Sequence, residues 1–516
     1  MPPTAPPSPT PASLTLEGHD ILFPSLPYDM QERVKQFSGD ERLQKNVQNV
    51  TWLKDQSRKK SCSETFGDNY EPLRVLAGSI KQHTLDHLDA YIERFIERAE
   101  AAGARVHLAA DAEQANAICV DIAKRHGCRL CVKSKSMVTE ETQLVPALEK
   151  IGVETVETDL GEFILQLDGD APSHIVTPMI HKDRFAVARA FERELGVAYT
   201  VDAGELTKIA REHLRDKYRR ADLGVTGGNF LVAETGSLVL CTNEGNARLC
   251  TGVPPIHVAM VGIEKLIPRL EDLNVFLKLL ARSSTGQSLT VYTHVISGPR
   301  RDVEHDGPDQ LHIVLIDNGR SGILQEPTRE MLRCIRCGAC LNACPVYRSI
   351  GGHSYGAVYS GPIGALITPM FKGLGNFKDL PHASSLCGAC FEACPVKIDI
   401  PRQLILLRRL MAERRMGGLS DWIFHKMWGL SLRHPLTYRL GGWVQRWAFR
   451  AAARRGGALP PLGHADAYAN RGWVGSLPGK LAGWTSERDM PTPTPRDFRD
   501  WWRRRPPPNG PPEQGA

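Results

Sequence analysis

Seven cysteines between positions 334 and 394 constrain this chain more than any other feature of its sequence. They stand as Cys334, Cys337, Cys340 and Cys344, followed by Pro345, and as Cys387, Cys390 and Cys394, followed by Pro395. Three thiols two residues apart let one loop reach three corners of a cube, and a fourth before a helix-breaking proline points toward a neighbouring cube. A tetrahedral zinc ion favours two separated pairs of ligands, which this spacing fits poorly. The pattern therefore implies cubane iron-sulfur clusters. No apolar run reaches the roughly 18 residues a membrane span requires, and the stretch Met1 to Leu14 lacks the basic start and apolar core of a secretory signal. The expected location is cytoplasmic, with a peripheral place at the inner face of the membrane as the other expectation. Crowded thiols in a reducing compartment read as metal ligands rather than disulfides.

The two groups superpose as an internal repeat. Aligning Cys-Gly-Ala-Cys-Leu-Asn-Ala-Cys-Pro with Cys-Gly-Ala-Cys-Phe-Glu-Ala-Cys-Pro matches Cys337, Cys340 and Cys344 to Cys387, Cys390 and Cys394, and leaves Ser384 where a first cysteine would stand. In the bacterial ferredoxin run the fourth thiolate serves the other cluster. By that rule Cys334, Cys337, Cys340 and Cys394 hold cluster 1, and Cys344, Cys387 and Cys390 hold cluster 2. With three thiolates the second centre is either 3Fe-4S or a 4Fe-4S cube with an exchangeable site; the Ser384 oxygen and water are alternative fourth ligands. Forty-two residues separate Cys344 from Cys387. That insert, with its Gly361-Pro-Ile-Gly turn, suggests a helical ferredoxin-type domain over 325–415.

Residues 1–28 read as a flexible leader, since little there can bury apolar surface. Residues 29–320 read as an α/β domain with a helical lead-in, in which Leu85, Leu88, Tyr91, Ile92 and Phe95 fall at helical spacing. From Val106 strands and helices alternate, including a helix expected over Glu140–Ile151, and such alternation builds a parallel sheet. The Gly-rich stretch at 224–240 suggests an anion pocket formed by Lys133, Lys135, Gly227, Gly228, Asn229 and Glu234, with Thr226, Asn243, Glu244 and Asn246 nearby. The competing reading gives the glycines to turns and the polar residues to helix caps. Cys128 and Cys131 read as buried thiols, and His174, His181 and His257 have no ligand-like spacing. The region 416–516 reads as a basic, Trp-rich helical arm with an irregular tail, the tail including Phe498 to Arg505. Around its start, Arg402 to Arg455 carries twelve basic residues against Glu413 and Asp421. Such a run packs on its own protein, docks on an acidic partner or lies at a membrane surface. A net charge of +6 is too slight to argue for nucleic acid.

Taken together, Val132-Lys-Ser-Lys-Ser-Met, Gly227-Gly-Asn-Phe-Leu-Val-Ala-Glu-Thr-Gly-Ser, Gly262-Ile-Glu-Lys, Asp317-Asn-Gly-Arg, Cys334-Ile-Arg-Cys-Gly-Ala-Cys and Ser384-Ser-Leu-Cys-Gly-Ala-Cys resemble the lactate utilization protein B family over about 30–415, with a looser match through the Trp-rich arm. The resemblance implies a ribose-phosphate isomerase/CoA-transferase-like α/β fold followed by an α-helical ferredoxin domain with two cubane clusters, whose ligands match the seven cysteines. It implies an electron-transfer subunit that works with two other lactate-utilisation subunits to oxidise L-lactate to pyruvate. Electrons would pass toward a membrane acceptor through a peripheral contact, so the chain is an electron relay rather than the converting site and no catalytic residue is assigned. Two alternatives stand beside it. One is the electron-transfer subunit of a glycolate or D-lactate oxidase. The other makes the α/β domain itself an enzyme on a carboxylate or thioester, with Glu234 as acid, base or nucleophile.

Overall fold

A computed structural model describes residues 18–452 and the short stretches 473–474, 476–477, 482–483, 485, 490–491 and 498–504. The chain divides into two compact units after Met416.

Among the described residues of the first unit ten strands follow one another: β1 (Arg105–Ala109), β2 (Leu130–Lys133), β3 (Glu154–Glu157), β4 (Leu223–Thr226), β5 (Phe230–Val232), β6 (Ser237–Thr242), β7 (Ile256–Gly262), β8 (Leu266–Ile267), β9 (Tyr292–Ile296) and β10 (Gln310–Ile316). Six form a wholly parallel sheet in the order β1-β10-β7-β4-β2-β3. Helices cover both faces, so the central strands are buried almost throughout, by Leu223 and Val225, Val258 and Met260, Ile313 and Val314. A second sheet, β8-β5-β6-β9, lies beside it and carries a β5–β6 hairpin. Its turn needs Gly236: φ is +67°, and a Cβ there would sit 2.2 Å from the Ala99 amide nitrogen.

Two expectations change. The helix expected over 140–151 is broken into Met137–Thr142 and Leu144–Glu149 at Gln143, whose φ is 57°. Pro146 has no amide to donate to the Thr142 carbonyl, which accepts from Asn116 instead. Residues 18–28, expected in a flexible leader, are packed: Gly18–Leu22 is a short helix with Ile21 and Leu22 buried, and the buried Tyr28 donates its hydroxyl to the Ser354 carbonyl.

The helical lead-in forms four further helices, Met30–Ser38, Glu41–Phe66, Tyr70–Asp86 and Leu88–Ala101. Asp40 caps the second of them, accepting from the Leu43 amide at 2.9 Å. Tyr70–Asp86 also braces the cysteine-rich part. Its buried Arg74 donates from Nε to the Cys394 carbonyl at 2.9 Å and from Nη2 to the Phe391 carbonyl at 2.8 Å.

In the second unit Leu419–Arg433 and Pro435–Ala452 are helices without a single buried residue. Phe498–Arg504 is helical where irregular chain was expected, and most of the expected irregular tail lies outside the described residues. Among the described residues no helix is long and apolar enough to cross a membrane.

Candidate iron-sulfur site and the cavity beside it

The repeat read from the cysteines is a repeat in three dimensions. Ala339–Ala343 and Ala389–Ala393 are matched five-residue helices, each preceded by a glycine in the left-handed region, Gly338 (φ 76°) and Gly388 (φ 87°), and each ending on a cysteine before proline. Two residues earlier, Arg336 (φ 60°) and Leu386 (φ 55°) are both left-handed as well. An unbranched-at-Cβ but bulky residue holds that conformation only where its surroundings impose it. Here the Arg336 amide meets the Cys334 sulfur and the Leu386 amide meets the Ser384 oxygen, at matching places in the two loops.

The loops bring all seven cysteines into one region and pair none as a disulfide. Cys334, Cys337, Cys340 and Cys394 wall a small void with Ile335, Ile363 and Ile398, so the cysteine most distant in sequence joins the first three. Cys344, Cys387 and Cys390 are near enough to act on one another's charge, and Cys340 feels Cys390, which places the two sets side by side. Cys387 is exposed; the other six are buried. Backbone amides point at three sulfurs: Arg336 to Cys334 at 3.4 Å, Tyr347 to Cys344 at 3.5 Å and Ile398 to Cys394 at 3.3 Å. Burial, aided by Cys344 and Cys387, pushes the Cys390 thiol up to about 12, and burial pushes Cys394 up to about 11. Thiols so placed carry negative charge only beside a cation that displaces their protons, as iron does. The donor set therefore fits iron-sulfur clusters. Ser384 is engaged locally, its hydroxyl oxygen accepting from the Leu386 amide at 3.1 Å.

At the carboxyl edge of the parallel sheet a cavity of about 360 Å³ opens against this region, and Cys337 and Arg336 form part of its wall. The ends of β2, β4 and β7 supply Lys135, Gly227, Gly228 and Lys265, as loops at that edge of a parallel sheet commonly do. Both glycines are required by close packing: a Cβ at Gly227 would lie 2.6 Å from the Ser136 hydroxyl, and one at Gly228 would lie 2.8 Å from Leu238.

A buried ion network ties the sheet to the cysteine loop along one wall. Arg320, just past β10, holds Glu141 with two nitrogens at 3.0 and 2.9 Å and Glu264 through Nε at 2.5 Å. Glu264 also faces Arg336 at 3.5 Å, and Tyr359 donates to Glu141. Burial would raise the Glu264 carboxyl, but Arg320 and Arg336 hold it down at about 2. Burial, with Arg336 adding to it, lowers the Lys265 ammonium to about 8.

The expected pocket residues separate into two groups. Lys135, Gly227, Gly228, Asn229, Asn243, Glu244 and Asn246 line the cavity. Lys133, Thr226 and Glu234 do not. Lys133 is buried among carboxylates, 2.7 Å from Glu157 and 3.0 Å from Glu140, because an unpaired buried ammonium there would be prohibitively unfavourable. Thr226 pairs with the His257 ring at 2.8 Å. Glu234 caps the helix Leu270–Thr285, accepting from the Leu270 amide at 2.8 Å. Lys54, Lys265, Ser284, Arg320, Arg336 and Tyr359 also line the cavity and were not anticipated, although Gly262-Ile-Glu-Lys, Asp317-Asn-Gly-Arg and Cys334-Ile-Arg-Cys contain three of them.

Cys128 and Cys131 are buried thiols of the sheet core. His174 is buried and bonds Asn342 at 3.1 Å, and His257 is buried in β7. Asp170, His181 and His353 gather their ligand atoms within 4.8 Å of one another. Lys182 already sits 2.6 Å from Asp170, and His353 bonds the Ala171 carbonyl, so the trio is a hydrogen-bonded strap.

Three family models match the chain: LUD domain over residues 92–316, 4Fe-4S dicluster domain over 330–398, and Lactate utilisation protein B, C-terminal, over 418–506. Curated relatives named Lactate utilization protein B match most of its length. The protein from Shouchella clausii is 44% identical over 447 residues, covering 86% of this chain and 91% of its own. That from Oceanobacillus iheyensis is 42% identical over 485 residues, covering 92% and 98%, and that from Geobacillus kaustophilus is 42% identical over 474 residues, covering 90% and 96%.

Proposed function

This chain belongs to the lactate utilization protein B family, and we propose that it is the iron-sulfur electron-transfer subunit of a complex that oxidises L-lactate to pyruvate. The observation that carries this reading is the convergence of seven cysteines from two stretches into adjoining sets, one walling a buried void and the other reaching the surface at Cys387. Bound clusters take up and release single electrons, so two side by side divide a two-electron oxidation into single steps.

Each residue group has a task. Cys334, Cys337, Cys340 and Cys394 hold the first cluster, with Ile335, Ile363 and Ile398 excluding water from it. Cys344, Cys387 and Cys390 hold the second, and the exposed Cys387 marks where a redox partner docks. The second set has three thiolates, which leaves one iron of a cube without a cysteine ligand. That supports a 3Fe-4S centre or a 4Fe-4S cube with an exchangeable site. Partners are two other lactate-utilisation subunits and a membrane acceptor met peripherally. The parallel sheet, with ligand-facing residues at its carboxyl edge, supports a ribose-phosphate isomerase/CoA-transferase-like fold. The helix-capping place of Glu234 weighs against the α/β domain being an enzyme built on that residue.

The test is anaerobic copurification with partner subunits, followed by addition of L-lactate, D-lactate or glycolate in turn. Bleaching of the iron-sulfur absorbance by L-lactate supports the reading; bleaching by D-lactate or glycolate alone moves the substrate to another 2-hydroxy acid. No reduction by any of them, in an iron-loaded complex, contradicts it.

A further inference from the structure

The cavity at the carboxyl edge of the sheet holds more positive charge than its own carboxylates neutralise. Lys135 is matched by Asp159 at 3.1 Å and Arg320 by Glu264, whereas the Lys265 ammonium, drawn by the charges of Glu264 and Cys334, forms no hydrogen bond or ion pair with any described residue. Two buried polar atoms of the wall, Arg336 Nη1 and Ser284 Oγ, have no hydrogen-bond partner among the described residues. Buried donors left unmatched are rare, because each carries a desolvation penalty of about 1–3 kcal/mol. At about 360 Å³ the cavity also falls among those that hold small-molecule ligands, roughly 300–1,000 Å³.

The internal repeat isolates Arg336. Leu386 occupies the matching place in the second loop with the same left-handed backbone, so the loop's geometry does not call for a guanidinium. What distinguishes Arg336 is its location: its side chain walls the cavity, its amide points at Cys334, and the next residue, Cys337, walls both the cavity and the four-cysteine void.

We propose that this cavity binds an oxyanion, a carboxylate or a phosphate, with Lys265 and Arg336 as its counter-charges and Ser284 as a donor, and that its occupancy sets the reduction potential of the adjoining cluster. The proposal rests on the cluster reading given above. The sign follows from electrostatics: an anion beside the centre disfavours an added electron, so it lowers the potential. By reciprocity, reduction weakens anion binding by the same factor. The bland rival is that Lys265 and Arg336 merely offset the negative charge of the cluster itself.

The two separate in one experiment on full-length, anaerobically prepared protein. Pyruvate and L-lactate serve as carboxylate probes, and flavin mononucleotide and inorganic phosphate as phosphate probes; Kd is measured by equilibrium dialysis on oxidised and reduced protein, and the midpoint potential by EPR-monitored titration. Saturable binding by either class, about tenfold tighter to oxidised protein and matched by a potential lower by about 59 mV at saturation, supports the proposal, and the class that binds identifies the chemistry. Lys265→Met should weaken binding at least tenfold with iron content unchanged, and Arg336→Leu, which copies the second loop, should do the same. If no probe binds, or if Lys265→Met shifts the potential of iron-loaded protein without changing any Kd, the cations serve the cluster alone and the proposal is overturned. Protein free of iron overturns both this proposal and the cluster reading, whereas iron-loaded protein indifferent to anions overturns only this one.

Discussion

Arg320 shows how a single side chain joins sheet and cysteine loop. It is 1% exposed, clasps Glu141 and Glu264, and stacks on Phe371 with its guanidinium carbon 4.7 Å from the ring centre. Removing one partner of a buried ion pair leaves the others desolvated and unpaired, an effect of about 3–5 kcal/mol. Arg320→Gln should therefore lose about that much in chemical denaturation, while the exposed Arg193→Gln should change stability little. The cysteines call for a different test. Cys394→Ala should remove iron equivalent to about one cluster and spare the other, whereas Cys128→Ser, in the sheet core, should leave the iron content unchanged. The cysteines were legible in the sequence because their chemistry is written in spacings of two and three residues. Lys265 and Arg320 were not recognised as pocket residues, because the elements that line the cavity with them lie far along the chain and only the fold brings them together. Lys133 and Glu234 misled for the converse reason. Each is a polar residue at or just past the end of a strand, and burial among carboxylates or a helix end claims it first.

At the scale of elements, the repeat of cysteine loop, short helix and proline followed from aligning nine residues, and so did the parallel sheet from its alternation of strands and helices. The broken helix at Gln143 was harder to see. Its apolar periodicity continues across the break, and the left-handed turn depends on Pro146 and on Asn116 taking the Thr142 carbonyl. The sheet also carries a pH dependence. His257, buried in β7 against Thr226, is lowered from 6.5 to about 3 by burial and then by His312. Its folded form binds fewer protons than the unfolded chain between those values, so its contribution to stability is complete above pH 6.5 and is lost as the pH falls toward about 3. Denaturation free energies measured from pH 7 to 4 should fall more steeply for the natural chain than for His257→Asn, the difference approaching about 1.4 kcal/mol per pH unit below pH 6.

At the scale of the molecule, the α/β and cysteine-rich parts read from the sequence as consecutive domains, yet they share one compact unit. Arg74, His174 and Tyr347 join them through bonds to Cys394, Asn342 and Ser173. Those ties link residues 168 to 320 positions apart, beyond what local pattern conveys. The helices of the second unit expose Trp428, Trp443 and Trp447 by 56%, 60% and 66%, a surface of the kind that partners or lipid cover. A chain ending at Met416 should accordingly keep its iron and unfold within a few degrees of the full-length midpoint in calorimetry.

The proposed electron relay requires seven cysteine sulfurs to cage two adjoining clusters. Mössbauer spectroscopy of anaerobic, full-length protein enriched in iron-57 tests this most directly. About seven to eight irons per chain in cubane-type environments, with one centre of irregular ligation, is the result expected; isolated tetrahedral iron, or a colourless protein without acid-labile sulfide, would contradict it.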